Sequence, residues 1–251
     1  MKTLLPLCLL PALAAAPSIF AGDFQSDGVK IHYTVQGKGD PVILIHGLFS
    51  TAQMNWGLPG VISELAKTRQ VIAPDCRGHG QSDKPADAGD YGVKMVEDVV
   101  RLMDHLKIQQ ADIAGYSMGG MITLKLLVLH PGRVRSAVLG GMGWLQDGSP
   151  LQGFWANTGG GKRAAKSGAA EACMKGFAQF AVTEKEVRDI KVPFAVVVGD
   201  RDPCKALYVE PLRKVRPDVP VKVIEDAGHI ACILKPGFRK TVNDILAQPM
   251  P

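Results

Sequence analysis

The period of hydrophobic positions changes along the chain in a regular way. Val29 to Val35 alternates apolar and polar residues, as a strand covered on one face does, and Gln36-Gly37-Lys38-Gly39-Asp40 reads as the turn that ends it. Pro41-Val42-Ile43-Leu44-Ile45 and Val71-Ile72-Ala73 are instead unbroken apolar runs, the pattern of strands covered on both faces. Pro193 to Val198 repeats it, Ala111 to Ala114 and Val134 to Leu139 read as further buried strands, and Val221 to Ile224 reads as the last strand. Between these runs the period becomes helical. Met95, Val96, Val99, Leu102, Met103 and Leu106 form one apolar stripe, Val61, Leu65 and Ala66 a shorter one, and Met121 to Leu129 and Gly237 to Ala247 have helical composition. Strand and helix alternating through short connections predict an α/β protein with a mostly parallel, doubly wound sheet and helices on both faces. In such sheets ligands gather beyond the C-terminal ends of the strands.

Gly143 to Lys191 breaks the alternation. It offers no buried strand but carries Trp144, Phe154, Trp155, Phe177 and Phe180 and the small-residue tract Asn157 to Ala170. It reads as a short lid inserted at about residues 143–191, its aromatic residues lining an acyl or aryl pocket, or equally as a pair of core helices joined by a loop.

With 251 residues, 46% hydrophobic and 21% charged, the chain is long enough for one domain with a substantial core. Its beginning differs from the rest. Lys2 is the only charge before Asp23, and Leu4 to Ala16 is rich in Leu and Ala, which resembles a secretory signal peptide. The expected division is a leader over residues 1–21 and a single domain over 22–251, with cuts after Ala14 or Ala16 as alternatives. That implies a periplasmic or secreted protein with no stable membrane insertion after cleavage. The basic residues are scattered and no aromatic residues interleave with them, so no nucleic-acid surface is expected. Beyond the leader, Cys76, Cys173, Cys204 and Cys232 lack zinc-ligand spacing, and four cysteines in an exported protein suggest disulfides. No metal and no organic cofactor is expected; oligomeric state is not legible.

The candidate chemistry centres on Gly115-Tyr116-Ser117-Met118-Gly119-Gly120, a tight turn between the strand ending at Ala114 and the helix after it. A strand that reverses into a helix so abruptly holds its apical residue at positive φ, and flanking glycines make room for the approach. Ser117 is that apex. The N–H of Met118 lies in the first helical turn, where unpaired donors and the helix dipole favour an oxyanion. The loop His46-Gly47-Leu48-Phe49 leaves another strand end and can aim a second N–H, that of Leu48, at the same place. A serine nucleophile needs an imidazole base and a carboxylate to orient it. Of six histidines, His229 follows a strand end among small neighbours and is the expected base, with His79 second; His46 and His105 read as structural. The acid is Asp202, three residues beyond Gly199, with Asp200 as runner-up.

Taken together, His46-Gly47, Asp75-x-Arg77-Gly78-x-Gly80-x-Ser82, Gly115-x-Ser117-x-Gly119-Gly120 and Gly199-x-x-Asp202 with Gly228-His229 resemble the α/β-hydrolase superfamily over about residues 28 to 247. The resemblance implies Ser117 as nucleophile, His229 as base, Asp202 as its orienting acid, and Leu48 and Met118 as backbone oxyanion donors. The expected function is hydrolysis of a small-molecule acyl substrate, a carboxylic ester first, through an acyl-enzyme. Lactone, thioester or carbon–carbon bond hydrolysis and cofactor-free perhydrolysis use the same triad. A ligand-binding protein on the same scaffold is the competing class. If the triad assembles, Cys204 and Cys232 are drawn together, and a disulfide between them, as in some similar secreted polyester hydrolases, would lock the acid loop to the base loop and add roughly 3–4 kcal/mol. Pairing of Cys76 with Cys173 is a further possibility.

Overall fold

The computed structural model describes residues 19–148 and 168–247. Its centre is an eight-stranded sheet of order β1-β2-β4-β3-β5-β6-β7-β8, made of β1 (Ile19–Ser26), β2 (Val29–Gln36), β3 (Pro41–Ile45), β4 (Gln70–Pro74), β5 (Ala111–Tyr116), β6 (Val134–Gly140), β7 (Phe194–Gly199) and β8 (Val221–Ile224). From β4 across to β8 all neighbours are parallel; β2 runs antiparallel to both β1 and β4.

The continuous apolar runs are explained by the pleat. In β3, Ile43 and Ile45 point into one core and Val42 and Leu44 into another, because successive side chains leave a strand on opposite faces. The first face is covered by α2 (Val93–His105) and α3 (Met118–Leu129), through residues such as Met95, Val99, Met103, Ile122 and Leu126. The second is covered by α1 (Val61–Leu65) and by the C-terminal helix, Pro236–Ala247, through Leu65, Phe238, Val242 and Leu246. The helix α3 is the most enclosed: all but three of its residues are buried, so its apolar character runs right round it and no single stripe stands out.

Two expectations from the sequence meet the described structure here. The sheet begins at Ile19, and β1 pairs residue by residue with β2 from Ile19 opposite Gln36 onward. A cut after Ala21 would therefore remove three residues of a strand, whereas cuts after Ala14 or Ala16 leave it whole. The strand escaped notice because Ile19 and Phe20, its most apolar residues, are 67% and 57% exposed on an edge, and Gly22-Asp23 interrupts the pattern. The second concerns the lid. Phe154, Trp155 and the tract up to residue 167 lie outside the described residues. The described part is helical: α4 (Gly168–Gly176), a single tight turn over Phe177–Phe180, and α5 (Glu184–Asp189), which opens with a reciprocal cap between Thr183 and Glu186. Trp144, Phe177 and Phe180 are buried in the main core, and Trp144 donates its indole N–H to the carbonyl of Val182 at 2.6 Å. Those three rings hold the segment down on the sheet and belong to the core-helix reading.

Candidate active site

The turn after β5 delivers what its sequence promised. Ser117 sits at φ 55°, ψ −113°, a conformation that costs an L-residue on the order of 1 kcal/mol or more and persists only where the surroundings enforce it. They do so through close backbone approach. A Cβ on Gly119 would lie 2.1 Å from the carbonyl oxygen of Ile45, and one on Gly115 would lie 2.0 Å from that of Gly119. No other residue fits either position, so strand β3, strand β5 and helix α3 can converge under the serine.

From this apex a hydrogen-bond chain leads outward. Ser117 Oγ lies 2.9 Å from His229 Nε2. On the other side of the ring, His229 Nδ1 lies 2.8 Å from Asp202 Oδ2. The second oxygen of that carboxylate accepts the backbone N–H of Cys204 at 2.8 Å. Ser117 is 5% exposed and Asp202 3% exposed, so the chain is nearly dry and its electrostatics are only weakly screened. With the carboxylate accepting at Nδ1, the ring carries its proton there and offers the lone pair of Nε2 to the serine hydroxyl.

The loop that leads into Leu48 and the start of α3 both meet this apex. Met118 is the first residue of α3, so its N–H has no partner within the helix. Gly47, just before Leu48, comes so close to the serine that a Cβ on it would lie 3.3 Å from Ser117 Cβ. The loop is fixed in that place by Asn55, whose side-chain oxygen accepts the N–H of Gly47 at 2.6 Å. The sequence gives no sign of this role for Asn55, which sits in an irregular helical turn over Gln53–Gly57.

The remaining candidates are braces. His46 accepts the N–H of Cys76 on Nε2 at 2.9 Å, so its Nδ1 carries the proton and donates to the carbonyl of Gly47 at 2.8 Å. Burial, then the neighbouring His79, pushes its pKa down to about 3, and the ring stays neutral. His79, second choice as base, is buried with Nδ1 at 3.1 Å from the carbonyl of Arg77 and its ring edge-on to His46 at 5.1 Å. Its pKa is lowered too, by burial. Asp200, second choice as acid, accepts the N–H groups of Ala227 and Asp226 at 2.9 and 3.1 Å, and so ties the end of β7 to the loop that carries His229. His105 stacks on Phe24 with ring centroids 5.3 Å apart.

Tyr116 is the functional neighbour that sequence reading missed. Its hydroxyl donates to the backbone carbonyl of His229, and its ring sits 5.7 Å from the imidazole. The motif leaves this position unspecified, so only the fold reveals it.

The expected disulfide is absent. Cys76, Cys173, Cys204 and Cys232 are all free and buried. Cys232 turns toward the Tyr116 hydroxyl, while Cys204 turns toward Asp202. Burial also pushes every one of these thiols up, Cys173 and Cys232 to about 12, which suppresses the thiolate that disulfide chemistry requires. One donor from each of Asp202, Cys204 and His229 lies within 4.8 Å of the others, the one group among the described residues with the composition to hold a metal ion.

Residues 40–158 match the family model described as the alpha/beta hydrolase fold. The chain has the α/β-hydrolase fold. Among relatives of this chain is 2-hydroxymuconate semialdehyde hydrolase of Pseudomonas sp. (strain CF600), 46% identical over 116 residues, which are 45% of this chain and 40% of that enzyme. The match therefore spans well under two thirds of that relative. Among solved structures, the enol-lactonase from Burkholderia xenovorans LB400 has a TM-score of 0.73 at 24% identity, covering 90% of this chain and 100% of that one. A meta-cleavage product hydrolase from Pseudomonas fluorescens IP01 has a TM-score of 0.73 at 21% identity, covering 90% and 97%. At such identities the two structures establish the fold alone. Among the described residues no helix is long and apolar enough to cross a membrane.

Proposed function

We propose that this protein is a serine hydrolase acting on a small carbonyl compound through an acyl-enzyme on Ser117. The observation that carries the reading is the unbroken chain from Ser117 Oγ to His229 Nε2 at 2.9 Å and from His229 Nδ1 to Asp202 at 2.8 Å. His229 takes the serine proton as Oγ attacks the carbonyl carbon, and the N–H groups of Leu48 and Met118 receive the negative charge that forms on the oxygen. The imidazolium then gives its proton to the leaving group. Water, deprotonated by the same ring, attacks the acyl carbon and releases the acid, restoring the serine. Asp202 holds the tautomer throughout and stabilises the charged ring.

Carboxylic esters and lactones are the first substrate class. Hydrolysis of a carbon–carbon bond in an aromatic ring-fission product is the second, favoured by the 46% identity to 2-hydroxymuconate semialdehyde hydrolase. The family-model match covers residues 40–158, which hold the nucleophile and oxyanion loops, while the acid and the base come later. The leader-like first residues support export to the periplasm or beyond, which N-terminal sequencing of the mature protein would test.

The deciding experiment compares wild type with Ser117→Ala on p-nitrophenyl esters of increasing chain length, a lactone and a 2-hydroxymuconate semialdehyde. Serine-dependent turnover is expected, and the preferred compound assigns the class. Absence of turnover on all three, with Ser117 also inert to a fluorophosphonate, would leave a binding protein on a hydrolase scaffold.

A further inference from the structure

The Cys204 thiol has no part in the reaction just described, yet it is 1% exposed and packed against the acid. We propose that Asp202, Cys204 and His229 form a binding site for a thiophilic divalent cation such as zinc or cadmium, and that the bound ion switches the serine off. One carboxylate oxygen, one thiol sulfur and one ring nitrogen lie within 4.8 Å of one another. These are the three donor types that zinc combines, and donors on one such ion sit roughly 3.3–3.8 Å apart, given metal–ligand lengths of about 2.0–2.3 Å. Side-chain shifts of about 1 Å close the group. The carboxylate and thiolate supply two negative charges to a dication in surroundings that screen little, and a soft sulfur selects zinc or cadmium over magnesium or calcium.

The position of the donors follows from the chain. Asp202 and Cys204 are two residues apart on the turn after β7, and Cys204 N–H already bonds to the Asp202 carboxylate, so one turn presents both side chains. His229 arrives from the loop after β8 with Nδ1 facing that carboxylate. Cys232 lies on the same loop but engages Tyr116 and is not one of the donors, which makes it the natural control.

Binding exchanges protons for metal bonds. The Cys204 proton leaves to solvent, and the ion takes Nδ1 of His229, so the ring proton resides on Nε2. Nε2 then has no lone pair for Ser117. Because the ion sits on the far side of the imidazole from the serine, it lowers kcat and leaves KM unchanged. An ion bridging Ser117 and His229 at the pocket mouth would instead compete with substrate.

The binding half of this proposal stands apart from the proposed reaction and is tested without turnover. Full-length protein titrated with cadmium chloride should develop the ultraviolet thiolate-to-cadmium charge-transfer band, saturating at one ion per chain. Cys232→Ser and Ser117→Ala should keep the band, and Cys204→Ser should lose it. A wild type without the band, or a Cys204→Ser variant that retains it, overturns the site. Should Cys204→Ser fail to fold, X-ray absorption of the cadmium-loaded wild type decides: a shell with one sulfur and at least two nitrogen or oxygen donors supports the site, and a shell of oxygen alone or of several sulfurs refutes it.

Discussion

Strand β5 ends in two kinds of polar chemistry only a few residues apart. At its start, Asp112 is buried and closed off: Arg135 reaches it at 2.8 and 3.1 Å, the Ser136 hydroxyl at 2.7 Å, and Arg69 completes the cluster. Burial by itself would raise its pKa, but hydrogen bonds from Arg135, Ser136 and Arg69 outweigh that and hold the carboxyl below the usual range. Just past the strand's other end, Ser117 lies in a strained turn with its hydroxyl on His229 and, next to it, the N–H of Met118, which has no partner within α3. The first end satisfies its charge completely and so contributes stability. The second keeps part of its hydrogen-bonding capacity in reserve and so can do chemistry. In a parallel sheet this division follows from geometry, since the loops at the C-terminal ends have somewhere to put a ligand.

The contrast breaks most sharply at the serine. Ser117→Ala should lower turnover by about 10⁴-fold or more while leaving the melting temperature unchanged, because among the described residues the hydroxyl's hydrogen-bond partner is His229. A variant that kept substantial turnover would remove the nucleophile from this turn. Asp112→Ala should do the reverse. It leaves Arg69 and Arg135 facing each other without their anion and should cost about 3 kcal/mol in denaturant unfolding, with the rate per folded molecule preserved. Loss of activity without loss of stability would show that the two ends are not separable.

Acid should distinguish the two ends next. His46 has a folded pKa of about 3 against an ordinary value of 6.5. The unfolded chain therefore binds the proton first, and this contribution to stability, complete above pH 6.5, is lost as the pH falls toward the folded value. By pH 5 the loss from His46 should reach about 2 kcal/mol. Asp112, whose pKa is depressed, behaves differently: its contribution is present above the ordinary carboxylate pKa and is lost only below it. Denaturant midpoints that stay level from pH 7 to pH 5 would contradict the neutral, buried His46 at the catalytic end. The smallest effect is Tyr116→Phe. Removing the hydroxyl that holds the His229 carbonyl should reduce kcat by about fivefold, in line with one hydrogen bond of about 1 kcal/mol, with KM unchanged. An unaltered kcat would make Tyr116 a packing residue only.

Much of this was legible before any coordinates. The unbroken apolar runs gave the doubly covered strands, since each face of a parallel sheet needs its own apolar layer. The glycines around Ser117 gave the turn, since backbones meeting at 2.0 to 2.1 Å from an absent Cβ tolerate nothing larger. Asp202 could be preferred over Asp200 by its distance beyond the strand. The edge strand β1, the burial of Trp144, Phe177 and Phe180, and the free state of Cys204 and Cys232 were not readable in this way.

What the sequence determined by itself was local: which runs are covered on one face or two, where the chain must turn, and which residue types meet at the strand ends. Those properties depend on neighbours a few positions away. The tertiary structure alone decided how distant residues pair. It put His46 between Gly47 and Cys76, Asn55 under the oxyanion loop, Tyr116 against the His229 carbonyl, and the Cys204 thiol beside the acid rather than bonded to Cys232. Each of these rests on where a loop lands after the sheet has twisted and packed, and no period or motif in the chain encodes that landing point.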